Sequence, residues 1–193
     1  MERCSPYIRE DTKIMNLFYL HRKPKKCAEL HCDKHVVKMI IEYAQLMSTA
    51  HRMLDGNEWM DKTANGRNIR RWEHPSAYMD AMLYKASHIN HPTAIWTRQK
   101  TGNYEYLYKL FCALCDEYTY RYGKVHKTDS LLRDVLERLP KNMDKGLFSA
   151  PPCAMPDDVK SKNVIEAYQN YYNKYKKDFA KWTNRNVPSF MGM

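Results

Sequence analysis

The sequence predicts an all-α protein: a single multi-helix domain over residues 15–193, at most a minor strand near the N-terminus, and an irregular extension at residues 1–14. Three observations lead there. Apolar residues recur at intervals of three and four through the long windows and seldom alternate, which is the period of a helix. Only 6 Gly and 9 Pro interrupt 193 residues, so long helices have room. A composition 44% hydrophobic and 12% aromatic supports one well-developed core at this length and excludes a disordered chain.

Each element has its own signals. Ile14–Leu20 is a short apolar run, extended or helical. Pro24 suits the first turn of a helix carrying Lys25 to His31. Asp33 is placed to cap the next helix, Lys34–Leu54, which Asp55-Gly56-Asn57 stops. Residues 57–74, rich in Asn, Arg and Lys, read as a polar loop. His74-Pro75-Ser76 starts a helix through Ser87, and Pro92 starts another. Thr101-Gly102-Asn103 interrupts it before a long helix, Tyr104–Tyr122, ended by Gly123. Ser130–Leu139 has helical spacing, and residues 141–158, with three prolines, form an ordered loop. Asn163–Trp182 completes the chain as a helix with Tyr168, Tyr172, Phe179 and Trp182 on one stripe. That stripe is core with lysines along its edge, or a surface that stacks bases.

The formal charge of +10 favours an anionic partner, DNA or a nucleotide phosphate. No run approaches 18 apolar residues, which excludes a helical membrane span. The first 13 residues lack the apolar core of a signal peptide, so the 6 cysteines are expected reduced and the chain cytoplasmic, in a host cell if the protein is viral.

The Lys34–Leu54 helix carries the most chemistry. At 100° per residue, His35, Lys38, Glu42, Gln45, Thr49 and Arg52 share an arc of roughly 100°. The rest of the circumference is largely apolar, so most of the helix is buried. The narrow polar stripe is then either a solvated edge, with Lys38 and Glu42 paired at i,i+4, or the wall of an active cleft. His35, Lys38 and Glu42 are the catalytic candidates, with Gln45 and Arg52 binding substrate. A second basic set comprises His91 and Arg98 at a helix start, then Glu117, Arg121, Lys124 and His126 around the end of the long helix. Its cations suit phosphate, or merely complement a helix dipole. The three segments are expected to line one cavity. Cys27, His31, Cys32 and His35, with Cys112 and Cys115, have zinc-like spacing. However, the latter pair falls within an amphipathic helical pattern, so no metal or other cofactor is assigned.

Leu30-His31-Cys32-Asp33-Lys34-His35 through Arg52, Asn90-His91-Pro92 with Trp96, Asp116 to His126, and Ala154-Met155-Pro156-Asp157 resemble small proteins of large double-stranded DNA phages and viruses. Lys38, Glu42 and Gln45 followed by His91-Pro92 and Trp96 are similar in order to the pyrimidine-dimer DNA glycosylases. That second resemblance implies a compact helical fold and excision of damaged bases. In the group an N-terminal amine attacks the sugar, helped by a glutamate and helix-borne arginines. Here Glu42 is flanked by Lys38 and His35 instead, and the 14-residue extension displaces any equivalent amine. The expected function is a glycosylase or lyase acting on damaged or modified bases in DNA. An enzyme of free nucleotides or modified-base precursors, and a non-enzymatic nucleic-acid-binding or virion-associated protein, stand as alternatives.

Overall fold

Apolar spacing organises the molecule around two long helices, and the others pack on them. The structure is a computed structural model that describes residues 17–192. The expected extension and Cys4 lie outside the described residues. The α-helices are α1 (Pro24–Leu30), α2 (Asp33–Asp55), α3 (Ala77–Met82), α4 (Pro92–Gln99), α5 (Thr101–Tyr122), α6 (Lys127–Leu136) and α7 (Val164–Tyr175). Helix α2 is central: α4, α5 and α6 all pack on it, and α1 packs on α5. Val36, Met39, Ile40, Tyr43, Ala44, Leu46, Met47 and Ala50 bury most of its girth. The aromatic stripe of α7 is core at Tyr168, Tyr171 and Tyr172, while Tyr175 is exposed.

Several boundaries differ from the expected ones, each for a physical reason. Residues 57–74 are not a loop but an antiparallel hairpin, β1 (Asn57–Lys62) and β2 (Asn68–Glu73), the only sheet among the described residues. Its turn uses Asn65-Gly66, with Gly66 at φ 78°, where a left-handed residue is required. The strands hide because most of their residues are exposed and half of them are charged, so no clear apolar alternation marks them. Asp33 is the first residue of α2 rather than its cap, and its carboxylate instead receives Thr183 and Arg121. At Gly56 a Cβ would sit 2.3 Å from the Arg52 carbonyl oxygen, so only glycine closes α2 there. Helix α7 ends at Tyr175, and the chain continues through Trp182 without it.

Helix α3 stops at Met82 instead of running to Ser87 because of Arg52. This guanidinium is buried and donates to the carbonyls of Trp72 (2.9 Å), Asp80 (2.8 Å), Leu83 (2.9 Å) and Tyr84 (2.8 Å), and to the Asp80 carboxylate. It satisfies carbonyls that a continuing helix would have used for itself. One side chain of α2 thereby fixes the end of β2 and the turn after α3.

The first described residues are tied down from inside. The Phe18 N–H donates to Tyr43 Oη (3.2 Å), and His31 Nδ1 lies 2.7 Å from the Cys27 carbonyl. Nδ1 therefore carries the ring proton, and Nε2 accepts from the Tyr43 hydroxyl at 3.0 Å. Burial pushes the pKa of His31 down to about 4; the Cys27 carbonyl and, more weakly, Glu117 oppose it, while Arg121 adds to it. His35 is pushed down to about 2 by burial, then by His31, Lys176 and Lys38. Both imidazoles are neutral when folded, whereas in the unfolded chain they titrate near 6.5. Their stabilising contribution is complete above pH 6.5 and lost as pH falls from there, because the unfolded chain binds the protons first. By pH 5 the loss is about 4 kcal/mol for the two together. Urea titrations at pH 7 and pH 5 test this, and a midpoint that does not move would refute it.

Candidate active site

The polar arc of α2 divides along its length. Lys38, Val37 and Ile41 are exposed, and Lys38 Nζ pairs with Glu42 Oε1 at 3.1 Å. The Lys38 side chain is 61% exposed and that of Glu42 only 15%, so a flexible amine stands outside a sheltered carboxylate. One turn on, Gln45 donates to the Lys85 carbonyl, and Thr49 exchanges hydrogen bonds with Ser87. The last member, Arg52, is enclosed as described above. The segment between α3 and α4 thus covers the C-terminal half of the arc and leaves the Lys38–Glu42 half open.

His35, expected beside them, lies on the buried side. Its ring stacks on Phe18 with centroids 4.3 Å apart, and Nδ1 hydrogen-bonds the Tyr172 hydroxyl. A neutral, enclosed imidazole of this kind is a poor source of protons at neutral pH. Cations nevertheless gather round it. Lys34 lies 4.6 Å from the Phe179 ring centroid and Lys176 5.8 Å, and Lys176 and Lys38 both depress the basicity of His35. The open face of α2 therefore joins one sheltered carboxylate to Lys34, Lys38 and Lys176. An anionic polymer laid there meets these cations and the Glu42 carboxylate.

The second basic set does not collect at that face. Glu117 and Arg121 are buried and fully engaged beneath the start of α2. Arg121 donates to Glu117 (2.7 Å), Asp33 (2.9 Å) and the Glu29 carbonyl (3.0 Å), and Arg185 grips Glu117 from outside at 2.8 Å. Burial alone would raise the Glu117 carboxyl, but hydrogen bonds from Arg185 and Arg121 outweigh it and hold the group below its usual range. The network clamps the C-terminal segment onto α2 and presents no free cation. His91 and His126 are helix caps whose Nδ1 atoms accept the N–H of Thr93 and Thr128. Lys124 is exposed beyond Gly123, which ends α5 in the left-handed conformation as expected. Arg98 is half-buried on α4, with Nη1 making no hydrogen bond among the described residues.

Sequence reasoning missed Lys34 and Lys176 as neighbours of the stripe. Lys34 was legible from its place one residue before His35. Lys176 was not, because α7 reaches α2 only through the tertiary fold. The zinc-like spacing of Cys27, His31, Cys32 and His35 assembles no ligand cluster among the described residues. Cys27 and Cys32 are core thiols, and burial pushes the Cys27 pKa up to about 11.

Neither the curated proteins nor the solved structures contain a match to this chain. The profile of the pyrimidine dimer DNA glycosylases does match, over residues 15–131. That span opens two residues before Leu17 and takes in α1 to α5, including Lys34, Lys38 and Glu42 but not Lys176. It covers more than half of the 193 residues, and the chain belongs to the pyrimidine dimer DNA glycosylase family.

Proposed function

We propose that the protein excises damaged pyrimidines from DNA at the open face of α2, with Glu42 as the acid/base and Lys38 as the amine that attacks the sugar. The observation that carries this reading is the asymmetry of the pair: an exposed primary amine 3.1 Å from a carboxylate that is largely shielded from water. In such a step the amine attacks C1′ of the deoxyribose and the damaged base departs with the C1′–N bonding pair. Lys38 first gives its extra proton to Glu42, and displacement of the base leaves a C1′ aminal. Glu42 then protonates O4′ as the C1′–O4′ bond breaks, which opens the sugar and forms the iminium link between Lys38 and C1′. The Glu42 carboxylate can next take a proton from C2′. Lys34 and Lys176 hold the phosphates on either side. Family membership supports DNA as the substrate.

The test uses duplex DNA containing one cyclobutane dimer, compared with undamaged and abasic duplexes. Release of the lesion, and covalent trapping of the enzyme on DNA by borohydride, are the expected results. A Lys38→Met variant is expected to bind but not to trap. Trapping undiminished in that variant would move the nucleophile elsewhere. Binding to undamaged duplex reads the charges separately. Replacing both Lys34 and Lys176 by alanine is expected to flatten log K against log salt by about two, at roughly 0.9 per phosphate contact. An unchanged slope would remove these two lysines from the interface.

A further inference from the structure

Away from that face, a second cluster of chemistry-bearing side chains lies where α2 ends and the hairpin rejoins the helices. His51 and Asp55 are one turn apart on α2 and point the same way. His74 follows β2 immediately. One ligand atom from each of the three falls within 4.8 Å of the others. They line a cavity of about 420 Å³, rimmed by Ser76 and by the exposed Arg138 and Lys141.

The hydrogen bonding fixes which His51 nitrogen is available. The Tyr104 hydroxyl donates to the Leu136 carbonyl at 2.9 Å, so its oxygen accepts from His51 Nε2 at 3.0 Å. Nε2 therefore carries the ring proton, and Nδ1 bears a lone pair. His51 is 1% exposed, and Nδ1 is buried with no hydrogen-bond partner among the described residues. The Arg138 backbone lies close enough to influence the ring but does not meet hydrogen-bond geometry at that atom. A buried lone pair without a donor is an unmet cost of folding that a cation would remove. The tyrosine behind the opposite nitrogen is the kind of support that orients metal-bound histidines.

Asp55 accepts the Lys141 N–H at 2.8 Å and the Asn142 N–H at 3.0 Å, one on each oxygen, which fixes the carboxylate while leaving lone pairs free. His74 presents Nε2 to Asp55 Oδ2 at 3.9 Å. Its Nδ1 accepts the Ser76 N–H, so coordination through Nε2 moves the ring proton to Nδ1 and turns that N–H to water. Ser76 is exposed, which makes the exchange feasible.

We infer that His51 Nδ1, Asp55 and His74 Nε2 bind a divalent transition-metal ion, with water completing its coordination on the open side of the cavity. Two imidazoles and one carboxylate are a donor set for Zn²⁺ and its neighbours Co²⁺ and Ni²⁺, and not for Mg²⁺ or Ca²⁺. The site is independent of the Lys38–Glu42 face, and its existence does not rest on the proposed excision chemistry.

Titration of the untagged, full-length protein with Co²⁺, followed by calorimetry and visible absorption, tests the site. One equivalent is expected to bind with the intense bands of low-coordinate cobalt, which Zn²⁺ then displaces. His74→Gln is expected to weaken binding at least tenfold, and Tyr104→Phe by roughly 10- to 100-fold through loss of support behind His51. His51→Gln places a buried amide where the imidazole stood. Should it fail to fold, imidazole nitrogen resonances of the wild-type protein decide instead, because Zn²⁺ must shift those of His51 and His74. No stoichiometric uptake, uptake undiminished in His74→Gln, or unmoved His51 and His74 resonances would each overturn the proposal.

Discussion

Glu42→Gln is expected to lower excision of damaged bases by a factor of about 10²–10⁴, the range for loss of a positioned acid or base. The fold is expected to survive. The side chain lies at the edge of α2 rather than in the core, and glutamine is a good helix former of the same length. The loss belongs in the rate of the chemical step and not in affinity for DNA, since replacing a carboxylate by an amide removes negative charge from a face that meets phosphate. Measured binding is therefore expected to be unchanged or slightly tighter. The decisive comparison is single-turnover cleavage of dimer-containing duplex by Glu42→Gln and wild type at matched melting temperature. A variant with more than about a tenth of wild-type rate would relieve Glu42 of its proposed role.

The second large effect concerns Arg52. Substitution by alanine strands four backbone carbonyls that the guanidinium now serves and leaves the Asp80 carboxylate with the His74 N–H but without its cation. Removing one member of a buried charged network costs about 3–5 kcal/mol, a large part of the roughly 5–15 kcal/mol that holds a domain together. Lysine is not expected to rescue it, because one ammonium cannot span acceptors on the hairpin and on both sides of the α3 turn. The damage has an address: hydrogen exchange should quicken first over β2, α3 and the following turn, residues 68–88. A stability change below about 1 kcal/mol, within the range of ordinary surface substitutions or little beyond, would contradict this account.

Arg52 also marks the boundary of what sequence could disclose. Its helical position placed it on the polar arc correctly, but nothing local distinguishes an arginine aimed at phosphate from one aimed at carbonyls 20 to 32 residues away. Arg121 poses the same problem, since one of its partners, Asp33, is 88 residues distant. By contrast, helices α2 and α5 were legible because burial on several sides imposes a long, regular apolar pattern. Gly123 marked the end of α5, and Pro92 the start of α4, because backbone geometry there admits few other residues. The hairpin escaped notice because strands this largely exposed, with Trp72 as the buried residue among them, carry little apolar pattern. The Lys38–Glu42 pair was visible as an i,i+4 spacing, but that only half its arc stays open depends on Lys85 and Ser87 folding back over the remainder.

The closure of the first turn of α2 bears on how the chain is made. The Asp33 N–H donates to the Lys181 carbonyl, and the Asp33 carboxylate receives Thr183 across a separation of 150 residues. The Trp182 indole N–H reaches the Leu30 carbonyl from the same strand of chain. Synthesis on the ribosome is vectorial, so α2, the scaffold of the whole domain, is translated well before partners that lie 150 residues further along the chain. Contacts this distant carry a high closure entropy and form late. The nascent polypeptide therefore holds its central helix with an unfinished end until the segment around Lys181–Thr183 clears the exit tunnel.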